Sequence, residues 1–182
     1  VSYIVDDIGV VVAALRETTI APNAPGANAP YYMYGHPLYL ANKLKEKTKD
    51  NILKYQKYPL IALRLDATED RRGDITDYNL NLYIVNKTEI NYTSEQRYTQ
   101  VFKTILFPIY KRFLVSLRES NLFMWGKDQL EPPHTKIDRP FWGTPPSPAA
   151  QGTVKYIFDD PLDAIEILNL QISSRERCRV IL

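Results

Sequence analysis

The sequence predicts an α+β domain: a small antiparallel sheet packed by one long kinked helix and shorter helices, with long irregular arms. Three observations predict it. Between Thr93 and Glu119, Tyr98, Val101, Phe102, Ile105, Leu106, Ile109, Phe113, Leu114 and Leu117 recur at three- and four-residue spacing, so they share one broad helical face. Asp77–Val85 alternates apolar and polar residues, as a half-buried strand does. Ile165–Ile172 reads as another strand far downstream. An amphipathic helix between separated strands has to lay its apolar face on a sheet.

Taken in order, a first helix is expected over 6–17, with Ile8, Val11, Val12 and Leu15 on one face and Asp6 and Asp7 in its first turn, where negative charge suits the helix dipole. Residues 20–36 hold three prolines and two glycines, which exclude a regular element and predict an extended arm ending in Tyr31, Tyr32, Met33 and Tyr34. Those aromatics either tuck onto their own core or lie across a neighbouring subunit. Pro37 suits the first position of a second helix, with Leu38, Ala41 and Leu44 on one side and Lys43, Lys45, Lys47 and Lys49 crowding its end.

Pro59 opens an interior strand, Leu60–Leu65. The segment ATEDRRGDITD is expected to be a flexible polar hairpin tip around Gly73. Beyond it Tyr78, Leu80, Leu82 and Ile84 point one way, and Asn79, Asn81 and Tyr83 the other. Thr93 with Gln96 forms a capping box for the long helix, and Pro108 predicts a kink near Thr104–Pro108. Arg97, Lys103, Lys111, Arg112 and Arg118 fall on its other faces. Asn121–Trp125 is a short apolar run of strand character. Gly126–Gly152 is irregular and long enough to be an assembly or functional loop. Thr153–Phe158 has strand character, and Asp159-Asp160-Pro161 is a turn. In the last strand Ile165 and Ile167 fall out of phase with Leu168, Leu170 and Ile172, which calls for a β-bulge near Ile167 or for cover on both faces. The tail, 175–182, is charged and then apolar.

The bulk numbers bound the function. At 182 residues the chain, 1–182, is read as one domain, its α+β core spanning 37–174. A net charge of +2 gives no general attraction to nucleic acid or to an anionic membrane. Cys178 is alone, which excludes an internal disulfide or a cysteine-rich metal site within one chain. No stretch approaches the ~20 apolar residues that span a bilayer. The start carries acidic residues and no basic region, unlike a secretory signal.

Chemistry-bearing motifs are sparse. His36 and His134 could join Asp138 or Asp160 at a metal, but no ligand spacing supports it. Cys178 sits in a basic tail without a nucleophile motif. Asp66, Glu69, Asp70, Asp74 and Asp77 could hold Mg²⁺ only if they converge in space, and EDRRGD reads instead as a self-compensated turn. Lys54, Tyr55, Lys57 and Tyr58 echo the basic–aromatic pattern of nucleic-acid binders.

Several segments carry a resemblance: YGHPLYLANKLKEK leading into KYPLIALRLDATED, DYNLNLYIVNKTEINYTSEQRY, the helix with ILFPIYKRFL, DRPFWG, and FDDPLDAIEILNLQI. In this order they resemble small neck and tail-completion proteins of tailed bacteriophages, of the tail-terminator and head–tail connector type, especially those of crAss-like and other phages of Bacteroidetes hosts. The likeness covers about residues 31–174 and lies in layout, not in a diagnostic motif. It implies a virion structural protein of the phage neck or tail, assembled in the host cytoplasm. Its copies would form a hexameric or dodecameric ring against portal, connector or tail proteins, with DNA only passing through the lumen. It implies no catalytic residue, cofactor, metal or membrane. The expected contact elements are the arm 21–34, the hairpin tip 69–77, the loop 126–152 and the tail 175–182. The candidate residues are Tyr31, Tyr32, Tyr34, Arg71, Arg72, Phe141, Trp142, Val180, Ile181 and Leu182. The alternative is a nucleic-acid-binding or adaptor module using Lys43–Lys57.

Overall fold

Strand β4 (Ile75–Lys87) is the axis on which the other elements are placed. The computed structural model describes residues 3–19, 29–143 and 158–175. In chain order these form α1 (Ile4–Thr19), β1 (Tyr31–Tyr34), α2 (Pro37–Lys49), a 3-10 turn at Leu53–Tyr55, β2 (Leu60–Leu63), β3 (Thr68–Arg72) and β4. Then come α3 (Ser94–Arg97), a π-helical stretch (Tyr98–Leu106), α4 (Phe107–Glu119), β5 (Thr135–Trp142) and β6 (Leu162–Arg175). The sheet has six strands in the order β1-β2-β4-β6-β5, with β3 pairing β4 beyond the end of β2. All pairings are antiparallel except β1 with β2, which are joined through α2. The α+β class is therefore as the periodicities predict.

Alternation along β4 divides the core in two. Tyr78, Leu80, Leu82 and Ile84 meet α1 and the long helix, which contribute Ile8, Val11, Leu15, Phe102, Leu106, Phe113 and Leu117. Tyr83 and Val85 point to the opposite face, where Leu40, Ala41 and Leu44 of α2 cover them together with Phe158 and Trp142. Each fully buried aliphatic or aromatic side chain contributes on the order of 1.5–3 kcal/mol. Among the described residues, the second face is clad beside α2, and its far half, around Asp77, Asn79, Gln171 and Ser173, is open. In α2 the inward residues are Leu40, Ala41 and Leu44, and Leu38 is exposed, which corrects the expected face.

The long helix opens with the anticipated Thr93–Gln96 capping box. Its irregularity is not a simple kink but nine residues wound as a π-helix up to Leu106, with Pro108 in the first turn of α4. Phe107 N–H bonds five residues back to Phe102, and the Thr104 hydroxyl donates to the carbonyl of Thr99 at 2.7 Å. A wider turn relieves the clash between a proline ring and the preceding turn. It also shifts the buried stripe, so Tyr98 is exposed against the edge of Phe107 instead of lying in the core.

Four other expectations change. ATEDRRGDITD is not a loose tip: β3 pairs with β4 from Thr68↔Asn79 to Arg72↔Ile75, leaving a two-residue turn, Gly73-Asp74. Gly73 has φ +65°, as a primed hairpin turn demands. The irregular arm ends in a strand, β1, and the irregular loop after Gly126 contains β5. Asn121–Trp125 forms a single bridge, Met124↔Ser173, and no strand. The bulge does occur: Leu80 pairs with Leu170 but Leu82 with Ile167, so Leu168 and Asn169 together oppose Asn81. Asn169 takes φ +54° there, and its N–H donates to Asn81 Oδ1 at 3.1 Å. Ile165, Ile167, Leu170 and Ile172 thereby share one core.

Candidate functional site

The open half of the sheet forms a cleft of about 430 Å³. Its floor comes from the polar alternates of β4 and β6, namely Asp77, Asn79, Gln171 and Ser173. One wall is β3, through Thr68, Glu69 and Asp70; the other is Trp125, Gly126 and Pro133. Among the described residues, three carboxylates line it and no Lys or Arg does. The Ser173 hydroxyl donates to Asp77 Oδ1, and the Trp125 indole donates to the Gln129 carbonyl at 3.0 Å, which fixes the walls. Arg71 reaches Glu69, and Arg72 reaches Asp70 at 2.8 Å and Asp77 at 3.7 Å, so each of the three carboxylates has an ion-pair partner.

The opposite end of the same face is built differently. After α2, Asp50 accepts the N–H groups of Ile52 and Leu53 at 2.7 and 2.9 Å, which holds its carboxyl below the usual carboxylate range. The turn so fixed pushes Ile52 and Tyr55 into solvent, at 73 % and 75 % exposure, beside Lys49 and Lys54. Just behind it Lys57 pairs with Asp160, which also accepts from the Tyr58 hydroxyl at 3.2 Å. Burial, then the Asp160 charge, pushes the Tyr58 phenol well above its ordinary value. Lys45 meets Asp159 at 3.2 Å and Lys43 meets Glu46 at 2.8 Å. Lys47 donates to the Gln56 carbonyl, and burial lowers its pKa. The basic run Lys43–Lys57 is thus largely engaged by its own chain.

No family model, curated protein or solved structure matches this chain.

The predicted contact residues are scattered. Tyr31 lies under the Arg16 guanidinium, 4.0 Å from its ring centroid, and the Tyr32 hydroxyl donates to the Val5 carbonyl at 2.8 Å. Burial raises the Tyr32 pKa. Tyr34, at the end of β1, is exposed. Arg71 and Arg72 stand on β3, at the cleft wall. Phe141, at φ +54° in a β5 bulge, covers the Arg97 guanidinium at 3.7 Å. Trp142 stacks on Phe158 at 4.8 Å and donates to Glu166 at 3.2 Å. Val180, Ile181 and Leu182 lie outside the described residues, as do Cys178, residues 20–28 of the arm and 144–157 of the loop, with most of the expected strand 153–158.

The alternative chemistries find no geometry. Among the described residues, no three His, Cys, Asp or Glu side chains gather as a metal site would require, so Asp66, Asp70 and Asp77 do not converge. Asp66 instead pairs with Arg64 at 2.8 Å. His36 caps α2 by accepting the Leu38 N–H at 3.2 Å. His134 is held between the Tyr110 hydroxyl at Nε2 and the Pro132 carbonyl at Nδ1, both at 2.7 Å; Nδ1 donates to the carbonyl. Among the described residues no helix is long and apolar enough to cross a membrane.

Sequence reasoning missed Arg97, which is 3 % exposed rather than on an outer face. It bonds Asp163 at 2.6 Å, Thr88 at 2.9 Å and the Glu89 carbonyl at 3.1 Å. It also missed Trp125, Gln171 and the Ile52–Tyr55 turn. The last had a signal, an aspartate two residues ahead of an Ile-Leu-x-Tyr run too short to be a helix.

Proposed function

We propose that this protein is a virion structural protein, a ring-forming subunit of a phage neck or tail that closes head-to-tail with copies of itself between portal and tail. The observation that carries the reading is β3. All five of its residues are exposed, and its outer edge pairs with no strand among the described residues. A free strand edge is a template for another chain, and the charges of Glu69, Asp70, Arg71 and Arg72 along this one restrict which chain can pair with it. The half-open sheet face beside it and the exposed Tyr34, Leu38 and Tyr39 at the N-terminal end of α2 supply further unclad surface. The layout of segments from Tyr31 to Ser174 adds the resemblance to phage neck and tail-completion proteins. The reading assigns no reaction to the protein; it holds a place in an assembly through repeated heterologous contacts. The alternative, a nucleic-acid-binding or adaptor module on Lys43–Lys57, is weakened by the ion pairs of Lys43, Lys45 and Lys57.

The test is the mass of the full chain in solution across a range of concentrations, with a search for it in purified particles. A hexamer or dodecamer and presence in virions are expected. A strictly monomeric protein absent from particles overturns the proposal. Tight, steeply salt-dependent binding to a random duplex would instead favour the alternative.

A further inference from the structure

We infer that copies of this protein join by seating the exposed Ile52–Tyr55 turn of one copy in the acidic cleft of the next. This deepens the ring reading and rests on its premise that copies associate. The two surfaces complement each other in charge. The turn is an apolar projection, Ile52 and Tyr55 held out by the Asp50 cap, flanked by Lys49 and by Lys54, whose ammonium lies 5.0 Å from the Tyr55 ring centroid. Neither lysine forms an ion pair within the described residues. Among the described residues the cleft offers three carboxylates, each also ion-paired to Arg71 or Arg72, and the Trp125 ring in about 430 Å³, the size range that receives a few side chains. Between positions 68 and 77 the hairpin carries four carboxylates against two guanidiniums, so its own arginines do not neutralise it.

Placement makes the contact intermolecular. The turn leads directly into Lys57, which pairs with Asp160 just ahead of β6, whereas the cleft lies at Gln171 and Ser173 near the end of that strand. At ~3.3 Å per residue these are roughly 35 Å apart along the strand, beyond reach within one chain. Both lie on the α2 face of the sheet, one at each end. A contact between unlike surfaces at opposite ends is heterologous: it propagates with one direction and closes when the rotation between copies divides a circle. An aromatic and an aliphatic anchor in a desolvated pocket with a charged rim is the usual composition of an energetic centre.

The experiment uses the full chain and two variants, Ile52→Asp on the turn and Gln171→Arg in the cleft, with Asn79→Arg as a second cleft variant should Gln171→Arg fail to fold by circular dichroism. Both sites are solvent-facing, so native melting curves are expected. Each variant alone should self-associate at least about tenfold more weakly than wild type. Mixed together, they should form a dimer of one copy each and nothing larger, because one intact turn and one intact cleft remain. Variants that assemble like wild type, or folded variants whose mixture stays monomeric, overturn this inference and leave the ring reading standing. A wild type that is monomeric at every concentration overturns both.

Discussion

Arg97 and Asp163 are 3 % and 0 % exposed and form the one ion pair among the described residues whose two side chains are both almost wholly buried. Asp163 Oδ1 also accepts the Phe141 N–H at 2.9 Å, and Oδ2 has no partner among the described residues. Three elements meet there: the entry of the long helix, the start of β6 and the β5 bulge. Removing one partner strands a charge, so Asp163→Ala should lower unfolding free energy by about 3–5 kcal/mol, while the double change Arg97→Met with Asp163→Leu should lower it far less. Urea denaturation of both variants measures the difference; equal losses would show that packing, not the stranded charge, dominates. This pair was not legible in the sequence. Periodicity sorts polar residues outward, and nothing local marks a partner 66 positions away.

At the scale of elements, legibility followed periodicity. The bulge in β6 was readable as a break in alternation, because the register of fourteen residues against β4 has to satisfy a single core face. Its geometry yields a measurable consequence. Asn169 holds φ +54°, and its bond to Asn81 uses the backbone N–H, which any replacement but proline retains. Asn169→Ala should therefore destabilise by about 1–2 kcal/mol and Asn169→Gly by only a few tenths, read from denaturant midpoints. Strand β3 was not readable, since TEDRR has no apolar face and is drawn into the ladder by the Gly73-Asp74 turn. Strand β5 was hidden by Pro140, which a strand tolerates here because it falls at an edge, within the shift between Arg139 and Trp142. The π-helical stretch was visible only as a proline in an otherwise unbroken stripe.

For the whole molecule, the α+β class was legible because it depends on the summed apolar pattern, whereas the cleft depends on what α2 fails to cover. Stability should also respond to alkali as a global property. Tyr58 is raised by burial and by Asp160, so above about pH 10 it ionises in the unfolded chain before it does in the folded one. Its contribution is fully present below that pH and is lost as pH rises further, at about 1.4 kcal/mol per pH unit. Denaturant midpoints between about pH 8 and 11 should fall less steeply in Tyr58→Phe than in wild type; Tyr32 acts in the same direction.

Strand β1 has a consequence of its own. Its neighbour β2 reads Leu-Ile-Ala-Leu and is buried at every position, with β4 on one flank and β1 on the other. Without Tyr31–Tyr34 the greasiest four residues of the sheet would border water, ready to recruit any passing backbone. The three tyrosines and one methionine ahead of α2 are thus a hem stitched along raw cloth: they keep that edge of β2 from sticking indiscriminately.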